Sequence, residues 1–143
     1  MNPRPDIRDL PVDTAMWLLG SVKYGRIVFS RYALPVIRPA DHIVDDSQII
    51  IRTDVGISFS PDSQAVAYEA DSIDPNTRRG WCVIVTGIAE TITEPDELAR
   101  LQPLLSPGIA GPHGRILRIR PDIVTGIEIF TPQQPETLLT RNT

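Results

Sequence analysis

The sequence is short of the residues that most enzymes use for chemistry. It has one cysteine, Cys82, and two histidines, His42 and His113, in 143 residues. A single cysteine excludes an intrachain disulfide and any zinc site built from several thiolates, and it suits a reducing compartment. Two isolated histidines do not form a spaced metal cluster. No Gly-x-Ser-x-Gly elbow is present, so a nucleophilic triad has no anchor. No run approaches the roughly 20 apolar residues of a membrane span. The first residues, MNPRPDIRDLPVD, have charges and prolines but no apolar centre, unlike a signal peptide. Positive charge is in deficit too. The net charge of −4 argues against a nucleic-acid footprint. The expectation is a cytoplasmic protein with neither nucleic acid nor membrane as partner. No internal repeat or linker divides it, so residues 1–143 read as one domain with a core at about 13–130.

What is present is β-rich. Hydrophobic content of 41% and charge of 22% fit a globular chain. Residues 1 to about 9 read as loose, followed by a short helix from Asp13 to a stop at Gly20. Leu10, Trp17 and Leu18 could share its buried face, with Trp17 as a core anchor. Gly25–Ser30, Leu34–Val44 and Ile49–Arg52 then read as three successive strands. Arg31, Tyr32 and Ala33 link the first two, and Asp45, Asp46 and Ser47 turn between the second and third. Pro35 and Pro39 remove two N–H donors, so the second strand must lie on an edge or border a bulge or a ligand. Gln64–Tyr68 reads as a fourth strand between loops at 54–63 and 71–79. Gly80–Thr93 is the longest β signal, and Gly87 inside it suggests a bulge. Thr93 is placed as the N-cap of a second helix, with Leu98, Leu101 and Leu105 on one face and Pro103 limiting its length. A Gly/Pro loop covers 106–114. Arg115–Arg120 and Val124–Phe130 read as two strands joined by a turn at Pro121 and Asp122. Six or seven strands with two peripheral helices give a mainly β fold, an antiparallel barrel closed or nearly so.

The side chains offer little acid/base chemistry. Asp45, Asp46, Asp71 and Asp74 fall where turns want aspartate for backbone reasons. His42 reads as a strand histidine facing solvent or the barrel rim. Arg52 and Thr53 end a strand and are followed by Gly56 and Ser58. A guanidinium, a hydroxyl and loop N–H groups can hold a phosphate there. A solvated strand end is the other reading.

Taken in order, these segments resemble a family. Gly25-Arg26-Ile27-Val28-Phe29, Leu34-Pro35-Val36-Ile37-Arg38-Pro39, Val44-Asp45-Asp46 and Ile50-Ile51-Arg52-Thr53 resemble the first half of the pyridoxamine 5′-phosphate oxidase-like flavoproteins, which have the FMN-binding split-barrel fold. Glu69 with Ile73-Asp74, then the run from Gly80 to Glu90, resembles the second half. Arg118 to Gly126 resembles the closing hairpin. The resemblance implies a homodimer with FMN in the clefts between subunits and a small-molecule substrate. It implies phosphate contacts near Arg52, Thr53 and Ser58, and a flavin ring along Arg38, Pro39, Ala40 and Asp41. Trp81 and Cys82 match positions that approach the cofactor. A barrel-core aromatic is the other reading of Trp81. The chain departs from the family after Gly56. Ser58 stands where a basic residue is usual, and Asp54 lies beside the expected phosphate. Losing one charge-assisted contact costs about 1.5–3 kcal/mol. Two alternatives follow from the resemblance. One is a deazaflavin-dependent reductase using a groove with Arg26, Arg31, Arg38, Arg78 and Arg79. The other is a non-catalytic flavin-, haem- or lipid-binding protein with a degenerate site.

Overall fold

The computed structural model describes residues 4–53, 63–105, 108–109, 111 and 114–132. Among them lie β1 (Asp6–Asp9), α1 (Val12–Gly20), β2 (Tyr24–Arg31), β3 (Leu34–Asp45), β4 (Gln48–Thr53), β5 (Ser63–Ile73), β6 (Gly80–Thr91), α2 (Pro95–Leu101) and β7 (Arg115–Phe130). Two tight hairpins join β2, β3 and β4. Tyr32 and Ala33 turn the first with φ of 53° and 61°, and Asp46 and Ser47 turn the second with φ of 50° and 60°. Two consecutive left-handed residues match the twist of the strands they join. The expected three-residue link therefore shortens to two, and Arg31 pairs with Leu34 inside the ladder.

Strand β5 returns to pair with β2, which makes β5-β2-β3-β4 a Greek key. Strand β7 then pairs with both β4 and β6 and closes a six-stranded antiparallel split barrel. The closure is uneven. The β2–β5 seam has three register pairs, Arg26↔Glu69, Ile27↔Tyr68 and Val28↔Ala67, whereas β5–β6 pairs along its whole length. Strand β3 is split in the same sense. Residues 34–40 pair with β2 alone, and pairing with β4 begins at Asp41↔Arg52. Pro35 and Pro39 both lie in the half with one neighbour, as their missing donors require.

Several boundaries differ from the sequence reading. Residues 6–9 are not loose: β1 pairs with the far end of β7, where Arg8 Nε donates to Glu128 Oε1 at 2.7 Å. Pro121 and Asp122 are not a turn. They lie inside one long strand, at a bulge where Thr86 pairs with Ile123 and Gly87 with Pro121. Proline is tolerated there because the ladder is already broken. The expected bulge at Gly87 is confirmed: a Cβ on Gly87 would sit 2.0 Å from the Arg120 carbonyl oxygen. Asp71 to Ile73 extend β5 rather than forming a loop. The cap of α2 is Glu94, not Thr93, because its carboxylate accepts from the N–H groups of Asp96 and Glu97. The 3-10 turn Gln102–Leu104, which contains Pro103, ends that helix.

The barrel interior holds Ile27, Phe29, Ile49, Ile51, Tyr68, Val83, Val85, Leu117 and Ile119, and α1 adds Ala15, Leu18 and Leu19. Fully burying one such aliphatic side chain contributes about 1.5–3 kcal/mol. Trp17 is not part of this core. It is 54% exposed, because α1 presents Ala15, Leu18 and Leu19 inward instead. A second cluster, Ile50, Ile92, Leu101, Leu105 and Ile116, lies outside the barrel under α2. The Ile49-Ile50-Ile51 run is therefore buried on both faces of β4, which explains why it does not alternate. Ion pairs from Arg100 to Asp45 and from Arg118 to Glu97 hold α2 against the wall. No helix among the described residues is long and apolar enough to cross a membrane.

Candidate functional site

The outer wall of β2, β3, β4 and β7 carries one row of aligned residues: Tyr24, Asp41, Arg52 and Ile116 are successive register partners. Strand alternation sets this row. Its in-chain neighbours Ala40, Ile51 and Leu117 point into the core. Asp41 and Arg52 are both 6% exposed. Arg52 donates to the Gln102 carbonyl at 3.3 Å, so the turn after α2 lies over it. Asp41 Oδ2 accepts from the Ile109 N–H at 2.9 Å. A Cβ on Gly108 would stand 2.5 Å from either Asp41 oxygen, so the backbone at 108–109 rests directly on the carboxylate. Thr53, at the end of β4, is fully buried.

The residues read from the sequence fall into three places. Ala40, Asp41, Arg52 and Thr53 lie where β3 and β4 pair, with Asp41 and Arg52 on the outer wall and Ala40 on the core side. Arg38 and Pro39 are exposed on the half of β3 that has one neighbour. Trp81 and Cys82 lie on β6, which pairs with β5 and β7 rather than with β3 or β4. Trp81 is 4% exposed and belongs to the barrel core. Cys82 is half-buried on the outer side, its Sγ 3.8 Å from Glu69 Oε2. Burial, and then the carboxylates of Glu69 and Asp71, push its thiol up to about 11, so it is a weak nucleophile at neutral pH. Ser58 and the loop around it lie outside the described residues.

His42 is neither solvent-facing nor on the rim. It is 3% exposed, with Nδ1 2.6 Å from the Tyr68 hydroxyl and Nε2 2.7 Å from the Leu19 carbonyl. Burial lowers its pKa, against an opposing pull from the Leu19 hydrogen bond and the Asp41 charge. The phase of β3 carried the signal: His42 shares its face with Ala40 and Val44, both inward.

A cluster that the sequence did not announce lies on the outside of the β2–β5 seam. Arg26 Nη1 contacts Glu69 Oε1 at 3.1 Å and Asp71 Oδ2 at 3.8 Å. Burial raises the Glu69 pKa, the Asp71 carboxyl adds to the rise, and Arg26 opposes it. Only the register of β2 against β5 reveals this contact. Among the described residues no group of three or more His, Cys, Asp or Glu side chains could hold a metal ion.

Comparison with known proteins places this architecture. Residues 11–128 match the sequence profile of the family described as pyridoxamine 5′-phosphate oxidase. An uncharacterized protein of Mycobacterium tuberculosis is 45% identical over 131 residues, covering 87% of this chain and 86% of its own. A Corynebacterium glutamicum crystal structure, named as a candidate pyridoxamine 5′-phosphate oxidase, is 32% identical. It superposes with a TM-score of 0.72 over 90% of this chain and 95% of its own. An FAD binding protein from Mycobacterium smegmatis is 26% identical, with a TM-score of 0.64 over 86% of this chain and 98% of its own.

Proposed function

Since the chain belongs to the pyridoxamine 5′-phosphate oxidase family, we propose that it is a flavin-binding oxidoreductase that works as a homodimer on a small organic substrate. The observation that carries this reading is a buried guanidinium on the outer wall, Arg52, with Thr53 next to it at the strand end and an adjacent half-strand, residues 34–40, that has one neighbour. The donor set fits an FMN phosphate: a desolvated guanidinium binds an anion more strongly than an exposed one. Asp41, its register partner, is the competing anion and would weaken the contact. Arg38 and Pro39 would line the flavin ring, with Ala40 and Asp41 beside them. The bound flavin supplies the hydride chemistry. The chain's own part is to bind it, orient it and exclude water.

A second subunit completes the proposal. The outer wall carries a row Ile37, Val28, Ala67, Thr86 and Ile123 across five strands. Ile37 and Ile123 are each 60% exposed, and Ile84 and Ile88 flank the row at 41%. A second copy would cover this apolar wall, as obligate interfaces of more than about 2,000 Å² do. The relative named simply as an FAD binding protein supports a second reading, a flavin-binding protein without turnover.

Flavin fluorescence titration tests the site at one fixed ionic strength. Arg52→Lys should weaken FMN binding about tenfold or more, since an ammonium cannot reproduce the guanidinium fork. Ser58→Lys should tighten it, and Arg31→Ala, at the far hairpin, should leave it unchanged. Equal behaviour of the Arg52 and Arg31 variants, with no gain from Ser58→Lys, would remove FMN from this place. A light-scattering mass of a monomer, with flavin bound, would contradict the dimer. Oxidation of a reduced nicotinamide by the flavin-loaded protein separates the enzyme from the carrier.

A further inference from the structure

The split in the barrel opens a cleft. Strands β2 and β5 part beyond Arg26↔Glu69: Tyr24 and Gly25 continue along β3, while Ala70 to Ile73 continue along β6. The fork opens beyond Gly25, where the two strands still touch. A Cβ there would lie 2.3 Å from the Glu69 carbonyl oxygen. The fork encloses a cavity of about 420 Å³ lined by Ser21, Val22, Lys23, Tyr24, Arg26 and Asp71.

Its charges are arranged by wall. Lys23 and Arg26 come from the β2 side, and Asp71, with Glu69 behind it, from the β5 side. Arg26 spans the two and contacts both carboxylates. Lys23 makes no ion pair among the described residues. Arg26 is already engaged by Glu69 and Asp71, so Lys23 is the cation that the cleft offers to an incoming anion. Beside Lys23 the Tyr24 side chain is 56% exposed and offers a ring face and a hydroxyl.

We propose that this cleft binds a small planar organic anion, with Lys23 and Arg26 on its carboxylate or phosphate and the Tyr24 ring against its face. The anion site stands independently of the flavin. Its assignment as the substrate subsite rests on the flavin reading, because Tyr24 and Arg26 are register partners of Asp41 and Pro39 in the stretch assigned to the ring.

Calorimetric titration of the flavin-free protein with benzoate, with neutral benzamide and with inorganic phosphate tests the site. Benzoate should bind more tightly than benzamide. Lys23→Gln should weaken benzoate about fivefold and leave benzamide unchanged, as expected for one partly exposed charge pair. Tyr24→Leu should weaken benzoate and benzamide alike and leave inorganic phosphate unaffected. Both side chains are exposed, so neither variant threatens the fold. Arg26 is left intact because it ties the seam. Equal binding of benzoate and benzamide, or benzoate binding that ignores both substitutions, would overturn the site. FMN titration of the wild-type protein is read separately: FMN that fails to bind removes the substrate assignment, while benzoate binding still decides the anion site.

Discussion

His42 Nδ1 and the Tyr68 hydroxyl oxygen lie 2.6 Å apart inside the barrel. The Leu19 carbonyl can only accept, so Nε2 carries the imidazole hydrogen and Nδ1 is the acceptor. The Ala40 carbonyl, 3.1 Å from the same hydroxyl, is the alternative acceptor. The two rings meet edge to face with centroids 5.1 Å apart. Tyr68→Phe keeps the packing and leaves Nδ1 buried without its donor. The variant should lose about 1–3 kcal/mol in urea unfolding, with an unchanged dependence on denaturant.

The same pair sets a pH dependence. Burial holds the folded His42 pKa below its ordinary 6.5. Below pH 6.5 the unfolded chain takes up this proton while the folded one does not. The stability from neutral His42 is thus complete above pH 6.5 and is lost as pH falls through the lowered value. Wild-type protein should lose more unfolding free energy between pH 7.5 and 5.5 than His42→Gln does. Parallel slopes for the two proteins would exclude the buried neutral imidazole.

Cys82 should be slow to alkylate. With its thiol near 11 rather than 9.0, the thiolate fraction at pH 8 falls about a hundredfold. Iodoacetamide should therefore label the folded protein about a hundredfold more slowly than the urea-unfolded chain. Equal rates would mean that Glu69 and burial do not act on the sulfur.

Two glycines should respond in opposite ways. Gly87→Ala drives a methyl into the Arg120 carbonyl at the bulge and should cost about 3 kcal/mol or more in thermal unfolding. Gly20→Ala, at the end of α1, meets only Val44 at 3.6 Å and should be neutral or stabilising by up to about 1 kcal/mol.

Local pattern carried much of the fold. Gly25–Ser30 and Gly80–Thr93 alternate plainly, and the prolines of β3 announced a half-strand with one neighbour. Sequence proximity misled where tertiary pairing decides. Pro121-Asp122 has turn chemistry, but the partner strand β6 absorbs it as a bulge opposite Gly87. Asp6–Asp9 has no apolar alternation and becomes a strand only because β7 offers an edge and Glu128 holds Arg8. Trp17 looked like a core residue by size, yet the helical phase turned it outward. At the site, Arg52 and Asp41 were visible as residues, but their alignment depends on the register of β3 against β4. The Arg26–Glu69–Asp71 cluster depends likewise on β2 meeting β5, a contact that no local pattern encodes.

The way β7 closes the cylinder also bears on how the protein is made. Ile49 in β4 finds its partner in Ile119, and Ala89 in β6 meets the same residue from the other side. A ribosome delivers that strand after all the others in the ring. While β7 is still in the exit tunnel, β2 to β6 can form only an open sheet with two bare edges, at β4 and β6. Such edges recruit other nascent strands, and pairings this distant in sequence form slowly. Emergence of β7, rather than of the first hairpins, is then the step at which the barrel becomes safe from aggregation.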